Sequence, residues 1–354
     1  MGKLLPLESL RGLAALTVVI FHFGVGSHFN NPFTLNGFLL VDFFFVLSGF
    51  VIALSYLHRL SNITSLLTFQ KKRFWRLYPL HLLMLVVFFG FNLAKYILSD
   101  QIQFAKPAFS EDFFLEFLFN LLLLHNWVLP TLTLNVPSWS ISAEFFTYLI
   151  FGITVLFVKN RTFFCTISAI FVITSGYLLF QMGWQPEIGG PLRCIYGFFI
   201  GVIMYLIHES SKKLTFTSSI PGVMLLCVSI WSIYNGTTYL DSYVFLPPLF
   251  GLVVMVISKT AQDTAISKIL SHKTLVWLGT ISYGVYMIHY AVIFIIGNIL
   301  MRLFGVPFLP GVGYEFSSVW IADLIMIVAI AATLLLAHLS HTKLEKPLYF
   351  KNGN

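Results

Sequence analysis

The stretch GFLLVDFFFVLSGFVIA, from Gly37 to Ala53, holds one ionisable side chain, Asp42, in an otherwise apolar run. Continued to residue 58, it has the length an α-helix needs to cross about 30 Å of hydrocarbon. Similar apolar runs stand at 10–26, 77–97, 113–129, 138–158, 162–182, 191–208, 219–234, 244–258, 275–304 and 318–341. Over its 354 residues the chain is 58% hydrophobic and only 10% charged. A soluble domain carries roughly 25% charge. The sequence therefore specifies an all-α, polytopic membrane bundle. No soluble domain, linker, low-complexity tract or internal repeat interrupts it. The expectation is one transmembrane domain over 1–354, without an extra soluble domain.

The net charge of +7 sits in short connections: Arg59 to Arg76, Lys159 to Arg161, Lys212 with Lys213, Lys259 to Lys273, and the tail after Lys343. In a membrane chain such charge sets orientation, and it does not point to nucleic acid. If all these connections are cytoplasmic, the N-terminus with Lys3 is too. The count then works only if one run between residues 77 and 158 fails to cross. The run at 113–129 fits best, because it opens with Glu111, Asp112 and Glu116 and closes with His125, Asn126 and Trp127. Polar backbone and side chains at that depth are tolerated in a re-entrant or interfacial segment buried in protein. The prediction is about ten crossings in the cell (inner or plasma) membrane, with both termini cytoplasmic. The first run lacks a small-residue cleavage site and stays as a helix. Cys165, Cys194 and Cys227 form neither a disulfide framework nor a metal-ligand pattern.

Ionisable groups inside such runs are costly, and so each is a functional candidate. Arg11 and His22 are eleven positions apart, about three helical turns, and so share one face some 16 Å apart. A single histidine on an apolar face commonly serves as a structural hydrogen-bond donor, but sharing a face with an arginine favours function. Asp42 needs a partner, since an unpaired buried charge costs several kcal/mol. It reads equally as a clamp between helices or as a catalytic acid. In FQKKRFWRLYPLHLL (69–83), Arg73 and Arg76 lie at i, i+3 and suit a bidentate grip on phosphates. Trp75 between them is placed to stack on a base, while Lys71 and Lys72 read as interface anchors. Glu144 lies in PSWSISAEFFTYLIF (137–151), where it orients a histidine, holds a proton, or pairs with an arginine of another helix. LGTISYGVYMIHY (278–290) puts Tyr286 and His289 on one face. Trp127, Trp139, Trp184 and Trp320 read as an interfacial aromatic belt.

Five of these elements in order resemble the membrane acyltransferase-3 family. They are an arginine and a histidine separated by ten residues on the first helix, GFLLVDFFFVLSGF, RFWRLYP, PSWSISAEFFTYLIF and SYGVYMIHY. The resemblance covers nearly the whole chain. It implies transfer of an acyl group, usually acetyl, from acyl-CoA as donor substrate to a hydroxyl of an extracytoplasmic or lipid-linked glycan. No resident cofactor or metal is implied, and the partners are acyl-CoA, the hydroxyl acceptor and the lipid bilayer. Arg11 and His22 match the family's paired essential residues, and Arg73 and Arg76 match its donor-side basic motif. Asp42 and Glu144 match acidic positions of less defined role.

The residues agree on chemical grounds. Phosphates need cations, and a histidine with an unperturbed pKa near 6.5 suits a general base. His22 is the base, or else carries the acyl group transiently. A continuous polar passage is expected, with Arg73 and Arg76 at its cytoplasmic mouth and Arg11 and His22 further in. Glu144 and Asp42 should border it, and Arg193 should lie toward the outer mouth. A transporter would also embed charges, but the RFWR motif and the lack of inverted halves argue against one.

Overall fold

In the computed structural model, residues 4–99, 108–129, 132, 134–182, 184, 186–236, 240–309 and 313–352 are described. Helix α1 (Leu5–His22) opens with Pro6 in its first turn, where a missing N–H is no loss. The short α2 (Pro32–Leu35) is closed by a capping box from Asn31. After it come α3 (Leu40–Tyr56) and the long α4 (Ile63–Leu98), whose N-terminus Asn62 and Ser65 cap reciprocally. At 36 residues α4 is about 54 Å long, far more than a bilayer core. The basic segment before residue 77, read from sequence as a connection, is therefore the first third of this helix. The apolar run there marks only the part of α4 that is greasy all round.

The stretch at 113–129 contains no helix long enough to cross a bilayer. It breaks into α5 (Phe113–Leu121) and α6 (His125–Val128) at Leu123, which is held at φ +59°. A buried leucine in the left-handed region costs about 1–3 kcal/mol, and surrounding contacts must hold it there. The rest follows the apolar runs: α7 (Trp139–Phe157), α8 (Arg161–Met182), α9 (Pro186–Ser210), α10 (Ile220–Tyr234), α11 (Leu246–Lys259), the short α12 (Ala265–Leu270) and α13 (Lys273–Leu303). Strands β1 (Phe308–Leu309) and β2 (Gly313–Tyr314) pair antiparallel before α14 (Val319–Ser340). A π-helical turn, His341–Glu345, then carries α14 into α15 (Lys346–Asn352). Among the described residues eight helices are long and apolar enough to cross a membrane. Two further apolar helices, α10 and α11, are shorter than these.

Helix α3 is the most enclosed, whereas α8 and α14 turn much of their surface outward. Two crossings of small residues set the centre. Gly12 of α1 lies so close to Gly279 of α13 that a Cβ on it would meet the Gly279 backbone nitrogen at 2.5 Å. A Cβ on Gly49 of α3 or Gly201 of α9 would likewise run into the other helix's backbone. Small residues are how membrane helices gain close packing where lipid supplies no hydrophobic drive. The pairs α1 with α13 and α3 with α9 are accordingly the most extensive contacts of the bundle.

Candidate active site

A cavity of about 470 Å³ lies between α1, α3, α4, α7 and α13. The Gly12–Gly279 crossing brings Arg11 against α13. Its Nε donates to Ser282 Oγ at 2.9 Å, and Nη2 donates to the Gly279 carbonyl at 2.8 Å and to Glu8 at 2.6 Å. Arg73 and Arg76 enter from α4, as their i, i+3 spacing requires, and Arg59 joins from the α3–α4 connection. Arg76 reaches Glu345 at 3.4 Å, a partner delivered by the π-helical turn, and lies over the Tyr283 ring. Arg73 has no ion pair among the described residues. It sits among the rings of Tyr56, Phe69 and Tyr148, donates to Tyr56 Oη at 3.4 Å, and its Nε has no hydrogen-bond partner.

Glu144 lines the same cavity from α7 and accepts from Tyr148 Oη at 2.5 Å; Tyr148 in turn shares a hydrogen bond with Ser48 of α3 at 2.9 Å. Four arginines against two carboxylates, Glu8 and Glu144, give the cavity a positive balance. Such a lining focuses anions. At the deep end Tyr286 Oη donates to the Pro137 carbonyl at 3.0 Å and accepts from Ser140 at 2.9 Å. The edge of Phe44 packs on Tyr286 with ring centres 5.8 Å apart.

His22 is not among the lining residues. It lies past Tyr286, joined to α13 through His289, which is fully buried. The His289 ring is 6.0 Å from Tyr286 and 4.9 Å from His22. The expected continuous passage is thus interrupted, because Tyr286 and His289 stand between the cavity and His22. The tautomers follow from the carbonyls, which only accept. His289 Nδ1 is 3.2 Å from the Val285 oxygen and carries hydrogen there, leaving Nε2 as an acceptor. His22 Nδ1–H then points between the Val18 oxygen at 3.0 Å and His289 Nε2 at 3.2 Å. This leaves the lone pair of His22 on Nε2. The shared face of Arg11 and His22 is real, and both side chains meet α13.

Asp42 is elsewhere. It is 1% exposed and forms a two-pronged pair with Arg193 of α9, itself 2% exposed, at 3.2 and 3.0 Å. Arg193 also donates to the Trp184 carbonyl and lies over the Trp139 ring. This is the geometry of a clamp between α3 and α9, and neither Asp42 nor Arg193 lines the cavity. Trp75 does not line the cavity either, and its ring packs against Phe74. Glu8, Ser48, Tyr148 and Glu345 join the site without having been singled out for it. Glu345 is 269 residues from Arg76, and only the turn after α14 brings it back.

Comparison with known proteins shows which sequences this chain is similar to. A family model described as an acyltransferase domain, that of acyltransferase-3, matches residues 6–338. Peptidoglycan O-acetyltransferase OatA of Listeria monocytogenes is 28% identical over 98% of this chain and 56% of its own length. Acyltransferase MdmB of Streptomyces mycarofaciens is 28% identical over 82% of this chain and 79% of its own. O-acetyltransferase OatA of Staphylococcus aureus is 27% identical over 82% and 51%. The chain thus spans about half the length of the O-acetyltransferases it matches. No solved structure matches it significantly.

Proposed function

The chain belongs to the acyltransferase-3 family, and from that premise we propose that it O-acetylates a glycan hydroxyl outside the cytoplasm, using cytoplasmic acetyl-CoA. The observation that carries this reading is the arginine-rich cavity. Its volume of about 470 Å³ falls within the range of ligand clefts, roughly 300–1,000 Å³. Arg73, Arg76 and Arg59 at one end suit the donor's phosphates, and Arg73 has charge to spare. The pantetheine arm runs inward past Arg11 and Glu144 toward Ser140 and Tyr286. Transfer includes a parting of Phe44 and Tyr286, after which the thioester meets His22.

His22 Nε2 takes the proton of the acceptor hydroxyl. The hydroxyl oxygen attacks the thioester carbon, the C–S bond breaks, and the thiolate leaves and picks up that proton as free CoA. His289 keeps the lone pair on the working nitrogen by accepting from Nδ1. Asp42 and Arg193 take no part in the chemistry on this reading, because they satisfy each other away from the cavity.

The test is to incubate membranes containing the protein with acetyl-labelled acetyl-CoA. Label should pass to a glycan fraction and be released by mild alkali, as an ester is. Purified protein should bind CoA, and Arg73→Ala and Arg76→Ala should each weaken that binding by about 1.5–3 kcal/mol, the worth of a hydrogen bond to a charged group. Arg→Lys should restore only part of it, since the planar fork is lost. An intact protein that binds no CoA, or transfers no label, would overturn the donor assignment.

A further inference from the structure

A second cavity, of about 370 Å³, opens beside the first and shares Arg59 with it. Its walls are Tyr56, the connection through Asn62, and one face of the start of α4. There Thr64, Thr68 and Lys72 recur every four residues and Ser65 stands beside them. Its lining holds two cations, Arg59 and Lys72, and no carboxylate. Thr68 donates to the Thr64 carbonyl, which leaves its oxygen as an acceptor, whereas the Ser65 hydroxyl is taken up by the cap, donating to the Asn62 carbonyl and accepting from the Ser61 and Asn62 amides. Tyr56 joins the two cavities, since it lines the second and accepts from Arg73 in the first. Lys72 thus has a place that an interface anchor would not need. Its neighbour Lys71 lines neither cavity.

We propose that this second cavity receives the phosphorylated nucleoside end of the donor, with Lys72 and Arg59 on its 3′-phosphate. The inference rests on the acyl-CoA reading above and adds a feature to it: the enzyme selects the complete donor over forms that lack the 3′-phosphate. Two cations without a carboxylate suit a phosphate monoester, and the hydroxyl and amide groups suit a ribose and a purine edge. The shared Arg59 puts this site where the diphosphate leaves the first cavity.

The experiment measures CoA and dephospho-CoA binding to purified full-length protein in neutral detergent. Both are measured on the same preparation of wild type, Lys72→Gln and Lys72→Arg. The wild type should prefer CoA by about tenfold or more, as loss of a charge-assisted contact implies. Lys72→Gln should bring the ratio close to one, and Lys72→Arg should keep most of it. A badly inserted variant lowers both affinities and leaves the ratio unchanged, so the ratio reports the site and not the fold. Equal wild-type affinity for the two ligands would overturn the inference while leaving the donor reading intact. So would full discrimination in Lys72→Gln. An anionic lipid headgroup is the rival source of phosphate. If phosphatidylglycerol abolishes CoA discrimination in the wild type at unchanged dephospho-CoA affinity, the cavity is a lipid site and the inference fails. A wild type that binds neither nucleotide refutes the donor reading itself.

Discussion

His22 and His289 show how much of a residue's chemistry is set by what faces its other nitrogen. The Val18 carbonyl and His289 Nε2 both lie on the Nδ1 side of His22, so its hydrogen is held there and Nε2 is left to act as a base. His22→Gln preserves size and polarity but supplies no base at neutral pH. It should insert in normal amounts, bind CoA normally and transfer no detectable acetyl group, a loss of at least the roughly 10²–10⁴ that general bases contribute. His289→Gln still offers an oxygen to His22 Nδ1 and should keep most of the rate. His289→Leu offers none and should lower kcat by about tenfold or more without changing CoA affinity. Transfer measured on membranes with matched protein amounts decides this. Equal rates in His289→Gln and His289→Leu would reduce His289 to packing. The sequence made Arg11 and His22 legible as a pair because eleven positions bring a helix back to the same face. It could not show that a second histidine, 267 residues on, completes the arrangement. That contact depends on the register of α1 against α13, which Gly12 and Gly279 set.

Helices here meet through small residues and a few buried charges, and the α3–α9 pair uses both. Gly49 and Gly201 allow the approach, and Asp42 with Arg193 fixes the register by a two-pronged ion pair. Removing one partner of such a pair leaves an uncompensated buried charge and costs about 3–5 kcal/mol. Asp42→Ala and Arg193→Ala should therefore each lower the amount of folded protein and its melting temperature. The double variant Asp42→Leu/Arg193→Met, apolar and of similar volume, should recover much of the loss, and the recovered protein should transfer acetyl groups. A stable but inactive double variant would instead return Asp42 to the chemistry. The sequence showed that Asp42 needs a partner. It did not show which one, because the candidates were several arginines on helices whose neighbours only packing decides. The same holds for α4. Its apolar half was plain, but its polar first third reads as a loop until the Asn62 cap and the continuous helix are seen. Glu345 was out of reach for a further reason, since it meets Arg76 only because a π-helical turn rotates the end of α14.

Across the whole molecule, contacts at the helix ends sort the connections into two groups. His58 after α3 and Arg161 at the start of α8 both bind Glu209 at the end of α9, at 2.6 and 2.8 Å. Leu4, Arg59 and Arg76 share the mouth of the first cavity, and Glu345 meets Arg76 there. At the opposite end the Tyr314 amide donates to the Gly24 carbonyl, and Asp323 at the start of α14 accepts from His28 after α1. This grouping requires that the segment from α5 to α6 does not cross, since otherwise the start of α8 could not share an end with His58. The basic residues that bias orientation cluster at the first end. We therefore expect that end to be cytoplasmic. Single cysteines at Asn62, Asn160 and Asn352, in a chain with Cys165, Cys194 and Cys227 replaced, should resist an impermeant thiol reagent on intact cells. A cysteine at Gly313 should react, and all four should react once the membrane is permeabilised. Labelling of Asn62 and Asn160 with Gly313 protected would invert the whole molecule and put the arginine-rich mouth outside, where acetyl-CoA is absent. Labelling of Asn160 with Asn62 protected would break the grouping itself. The first result would undo the donor assignment and leave the fold standing, whereas the second would undo the ten-helix topology.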